Sequence, residues 1–114
     1  MSSNEAAREN YVYVNQSEPP NITGPMSNAA MDFVFGQVWN SKQLSWREKR
    51  IISLTCTAIS GHQLPLEVHV RGALKSGDLS ADDIRAFALH LAAYAGFPMG
   101  AAVELMLQKI LAEK

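Results

Sequence analysis

From Ser27 onward the chain is punctuated by helix starts and helix stops, and no other feature narrows its possible folds as much. "SWRE" sets Ser45 three residues ahead of Glu48, the capping-box spacing in which each residue's side chain satisfies the other's free backbone N–H. Gly61 then supplies a left-handed stop, Pro65 suits a first helical turn, and Gly77 closes the next helix. Ser80 opens another, with Asp82 and Asp83 favouring its positive end; it stops at Gly96, and Pro98 begins the last. Apolar residues between these marks recur at helical spacing: Met31, Val34, Phe35 and Val38, then Leu66, Val70, Ala73 and Leu74, then Ile84, Phe87, Ala88 and Leu91. Strand patterns are absent from residue 27 onward. The reading is an all-α domain over residues 27–114, a small bundle of about five helices.

The helix after Ser45 (Ile51, Ile52, Leu54, Thr55, Ala58, Ile59) is wrapped by apolar and small residues, so it is expected to be central and buried on several sides. Residues 1–26 lack sustained periodicity and end in "SEPPNITGP", which reads as a polar, extended or mobile arm. Within it "YVYV", Tyr11 to Val14, is β-prone and is expected to lie as a docking strip over the body or a neighbouring subunit. Apolar residues left over from one stripe per helix, among them Trp39, Phe97, Met99 and Met106, suggest a homo-oligomer.

At 114 residues there is room for one modest core. The net charge of −1 is spread without a basic block, which argues against a nucleic-acid partner. No apolar run approaches bilayer length and the N-terminus is no signal peptide, so a cytoplasmic protein with no membrane partner is expected. Cys56 is the single cysteine, amid apolar neighbours, and reads as a small core residue.

Chemistry rests on few residues. His69 lies beside the stripe of Leu66, Val70, Ala73 and Leu74; it is either a core-edge histidine bonded to a carbonyl or an acid–base group in an apolar cleft. Glu67 stands four before Arg71, the spacing of a surface ion pair, and Glu48 is explained by its capping box unless its carboxylate also edges a site. His62 precedes Pro65 and would share a face with His69 only if the helix began earlier. His90 and Tyr94, four apart, offer an imidazole and a phenol to a cavity, or form a polar pair at a seam. No H-x-x-x-H or Cys/His cluster offers a metal its ligands, so none is expected.

The order of segments carries more than any one residue. The F-G-x-V-W helix end (Phe35–Trp39), the L-S-x-R-E start (Leu44–Glu48), the H-x-x-x-A-L-x-x-G helix (His69–Gly77) and the Y-A-G-F-P turn (Tyr94–Pro98) together closely resemble the carboxymuconolactone decarboxylase family. The resemblance implies an alkylhydroperoxidase-like helical fold assembled as trimers or hexamers. One branch of that family carries a C-x-x-C pair seven and four residues before the histidine matching His69. Here those places hold His62 and Pro65, and a dithiol peroxidase cycle has no thiols to run on. The other branch, which this sequence resembles better, needs no cofactor and removes CO2 from a small lactone acid, 4-carboxymuconolactone. The resemblance therefore implies a carboxy-lyase with His69 as proton donor; Glu48, as a carboxylate that could edge the same site, is the second catalytic candidate. Arg50, with Arg47 and Arg71 as other options, would hold a substrate carboxylate, while His62, His90 and Tyr94 would line the site. A non-catalytic helical oligomer that binds an apolar ligand or a partner is the competing reading.

The missing thiol pair is directly checkable. The chain is expected to reduce no hydroperoxide in the presence of a dithiol donor, and Cys56→Ser to change nothing; turnover abolished by that substitution would restore the thiol route.

Overall fold

The computed structural model describes residues 3–21 and 23–113; residues 1, 2 and 22 of the expected arm lie outside them. The helices, in chain order, are α1 (Ser3–Asn15), α2 (Pro25–Ala29) running directly into a π-helical segment (Ala30–Val38), α3 (Trp46–Ser60), α4 (Gln63–Ser76), α5 (Ala81–Ala95) and α6 (Phe97–Leu111). No strand occurs among the described residues, and the fold is the all-α bundle that the punctuation implies. None of the described helices is long and apolar enough to cross a membrane.

The caps form as written. Ser45 Oγ accepts the Glu48 N–H at 3.0 Å while Glu48 Oε1 accepts the Ser45 N–H at 2.7 Å. Ser80 and Asp83 make a second box at 3.0 and 2.9 Å, so Asp83 closes a hydrogen-bond ring as well as facing the helix dipole. Gly61 (φ 74°) and Gly77 (φ 81°) are left-handed stops for α3 and α4. The first helix of the domain begins two residues before Ser27, with Pro25 in its first turn, and widens into π geometry in which the Trp39 N–H reaches the Val34 carbonyl at 2.8 Å. Apolar residues at 31, 34, 35 and 38 follow α-helical spacing, so their pattern pointed to an ordinary α-helix and did not reveal the widening.

The core lies among α3 to α6: Leu54 and Ala58, Leu66 and Val70, Ile84 and Leu91, Val103 and Leu107 meet there, closed by Leu79 from the α4–α5 loop. α5 and α6 approach closely because Gly100 has no side chain. A Cβ there would stand 2.6 Å from the Ala88 carbonyl oxygen and from Ala92 Cβ.

Several expectations are overturned. The segment read as an extended arm is a helix over Ser3–Asn15 that packs on the π segment and on α4, so "YVYV" docks, but as helix. Its buried stripe is Ala7, Asn10 and Val14, and the polar middle member hid the helical period. Asn10 is accommodated because its Nδ2 donates to the Phe35 carbonyl at 2.7 Å and to Asn40 Oδ1 at 3.1 Å. α3 is buried along one stripe rather than on several sides: Ile52 and Ile59 are about half exposed, and Cys56 is exposed, not a core residue. Trp39 and Met106, read as surplus apolar surface, are buried within the chain, whereas Phe97 stays 77% exposed.

Removing a cap measures what the punctuation contributes. Ser45→Ala is expected to lower unfolding stability by about 1 kcal/mol, read from urea denaturation; an unchanged midpoint would show that packing alone sets the start of α3.

Candidate functional site

His69 sits in the middle of α4 and faces α3, where Arg50 lies one turn past the capping box. Arg50 Nη1 is 3.2 Å from His69 Nδ1. A guanidinium only donates, so Nδ1 is the acceptor, and a neutral ring carries its hydrogen on Nε2. The Trp39 ring stacks against the imidazole with centroids 6.1 Å apart and planes 17° from parallel, and the Arg50 guanidinium lies over the same indole at 5.7 Å. α4, α3 and the end of the π segment thus converge on a half-buried imidazole.

Arg50 is fully buried. Its Nε donates to Asp78 Oδ2 at 3.3 Å and its Nη1 to the Val14 carbonyl at 2.8 Å. Asp78, on the loop after Gly77, also accepts from the Tyr13 hydroxyl at 2.5 Å. The arginine therefore ties α3 to α4, to the α4–α5 loop and to the last turn of α1. Nη2 has no hydrogen-bond partner among the described residues, an unused donor on a buried cation. Space for the guanidinium comes from Gly72: a Cβ there would stand 2.3 Å from the Val14 oxygen and 2.8 Å from Arg50 Nη1.

Burial, reinforced by the positive charge of Arg50, lowers the His69 pKa from 6.5 to about 4. At pH 7 only about one ring in a thousand then carries a second proton, too few for an imidazolium acid near neutrality. Burial lowers Arg50 as well, opposed by Asp78, and raises Tyr13, where Asp78 adds to the effect. Lys49, on the preceding position of α3, is also buried; it donates to the Trp39 carbonyl at 2.8 Å and to that of Ser41, pinning the loop before α3.

The other expected site residues are scattered. Glu48 is exposed in its capping box, with its carboxylate held below the usual range by the Ser45 N–H. His62 is exposed just before α4, with Nδ1 2.9 Å from Ser60 Oγ. His90 and Tyr94 stack on each other at 5.0 Å on the exposed side of α5, where they line an apolar groove of about 500 Å³ between α3 and α5 with Ile51, Thr55 and Phe87. At its rim Arg47 pairs with Asp83 at 3.0 Å; that contact, then the Ser80 cap, lowers Asp83 to about 2. His69 does not line this groove. Arg71 makes the surface pair with Glu67, at 2.8 Å, and a second with Glu113 at 2.6 Å. Of the residues named from sequence, the fold brings together His69 and Arg50, separately His90 and Tyr94 with Arg47 at the rim of their groove, and on the surface Glu67 and Arg71.

Asp78, Tyr13, Val14, Gly72 and Trp39 complete the His69 site, and sequence reasoning did not assign them to it. One signal was available: Gly72 interrupts a helical pattern, which marks close backbone approach. Asp78 stood among turn residues, and Val14 contributes only its carbonyl, which no side-chain pattern encodes.

The depressed pKa has a thermodynamic consequence with a definite sign. Unfolded His69 takes up a proton near pH 6.5 and the folded ring only near 4, so its contribution to stability is complete above about 6.5 and is lost as pH falls toward 4. Urea denaturation between pH 4 and 7 should show a shallower fall for His69→Gln than for the parent; parallel curves would mean that the native ring titrates normally.

A model of the carboxymuconolactone decarboxylase family matches residues 25–108. The match runs from the start of α2 to the last turns of α6, covering α3, α4 and the His69–Arg50 pair and leaving α1 outside. No curated protein matches the chain. On the extent of that family match, the chain belongs to the carboxymuconolactone decarboxylase family.

Proposed function

We propose that the protein is a cofactor-independent carboxy-lyase acting on a small carboxylated lactone, 4-carboxymuconolactone or a related acid. The observation that carries this reading is the pairing of the buried Arg50 with the half-buried His69, in which a desolvated cation fixes one tautomer of a neutral imidazole. Packing alone does not require such a pair, and groups perturbed in this way concentrate at reacting centres.

The role given to His69 changes from proton donor to hydrogen-bond donor. In the proposed reaction the bond between the ring carbon and the carboxylate breaks, and its electron pair passes into the conjugated carbonyl as CO2 leaves. Charge develops on the carbonyl oxygen, where the Nε2–H of His69 donates to it; a proton from water then adds to carbon and gives the enol-lactone. A neutral imidazole serves this electrostatic role without changing its own protonation. Arg50 acts on the ring by occupying Nδ1. Assembly as trimers or hexamers belongs to the same proposal and is supported by apolar side chains left exposed, such as Leu64, Tyr94, Phe97 and Leu105.

One observation favours a second reading, a non-catalytic helical protein that binds an apolar ligand. An apolar groove of about 500 Å³, with His90 and Tyr94 at its edge, lies away from His69.

Turnover decides between the two. With 4-carboxymuconolactone followed by its ultraviolet absorbance, His69→Ala is expected to lower kcat by about a hundredfold. The parent rate should be level from pH 6 to 8 and fall only as the ring protonates toward 4. A rate that climbs as pH drops would return His69 to an imidazolium acid. Equal rates in parent and variant would remove it from the mechanism, and no turnover of any such acid would leave the binding protein.

A further inference from the structure

Arg50 presents more donors than the chain uses. Nη1 gives one N–H to His69 Nδ1 and the other to the Val14 carbonyl, and Nη2 beside it has no partner among the described residues. Adjacent donors on one guanidinium are the arrangement that a carboxylate takes with both of its oxygens. In this structure the last turn of α1 occupies the Nη1 side of that approach with a single backbone oxygen, the Val14 carbonyl at 2.8 Å.

We infer that α1 is a displaceable cover over Arg50, and that the Val14 carbonyl occupies the binding place of a small carboxylate, which must push α1 aside to reach the guanidinium. This rests on the lyase reading of the same site and adds how its substrate would gain access. Three features fit a cover better than a fixed wall. α1 lies outside residues 25–108, which carry the family pattern. Among its described side chains only Ala7, Asn10 and Val14 are buried outright, while Tyr11, Val12 and Tyr13 pack half-exposed, so the seam that holds it down is partly open to water. Of the residues between α1 and α2, those described turn at Gln16 (φ 54°) and Gly24 (φ 139°) and include Pro19 and Pro20, none of them helical.

The latch is Tyr13, whose hydroxyl donates to Asp78 while its ring packs on Trp46 with centroids 4.2 Å apart. Tyr13 and Asp78 are positioning residues; the carboxylate meets Arg50. His69 keeps its bond to Arg50 Nη1 throughout, so opening α1 adds a ligand without releasing the imidazole.

The test uses the full chain, succinate as a non-reacting carboxylate probe, and amide hydrogen exchange read by NMR. Succinate is expected to speed exchange at Val14 and its α1 neighbours while leaving α5 and α6 unchanged, the reverse of the protection that ligands ordinarily confer. Tyr13→Phe keeps the ring and removes the latch; it should open α1 about tenfold more often and tighten succinate binding by up to the same factor. Bound succinate with α1 equally or better protected would overturn the cover and leave the lyase reading intact. Failure of succinate to bind either protein would also overturn it, whereas the lyase reading stands or falls on turnover of the lactone.

Discussion

A guanidinium taken wholly out of water must be surrounded by acceptors, and the burial of Arg50 sets the arrangement of half the molecule. Asp78 comes from the loop after α4, the Val14 carbonyl from α1, the imidazole from α4 and the indole face from the end of the π segment. Four pieces of chain distant in sequence are held in register by one side chain. Gly72 is the complementary requirement, since a side chain there would occupy the space that Arg50 and Val14 share.

That arrangement also determines the chemistry of His69. Without Arg50 the Nδ1 position would be open to either tautomer. With it, a donor faces Nδ1, the ring is neutral at physiological pH, and any catalytic use must draw on the Nε2–H. Burial and the neighbouring cation act in the same direction, so no compensating interaction restores the imidazolium. The apolar groove between α3 and α5 is a different environment: His90 and Tyr94 are exposed there and make a ring stack rather than an anchored network.

Much of the scaffold was legible in advance. Ser45 and Glu48, Gly61, Gly77, Ser80 and Gly96 marked the helices correctly because capping is local chemistry, complete within three or four residues. α1 was not legible: its buried stripe runs through Asn10, whose burial is satisfied only by Phe35 and Asn40, both remote in sequence. Cys56 and Ile59 went astray for a related reason, because a small or apolar residue on a helix does not by itself say whether its side of the helix finds a neighbour. The site was read in part. His69 stood out by its residue type and its place beside an apolar stripe, whereas Arg50 was indistinguishable from Arg47 and Arg71, which remain on the surface.

The sequence by itself determined an all-α body, the places where α3 to α6 begin and end, the absence of a dithiol, and membership in the carboxymuconolactone decarboxylase family. All of these depend on neighbours along the chain or on motif order. Only the tertiary structure decided which arginine is buried, that α1 folds back over it, and that the imidazole is neutral with a known tautomer. Burial and pKa are set by groups that the fold brings within a few ångströms, and those groups lie 19 to 36 positions from Arg50 along the chain.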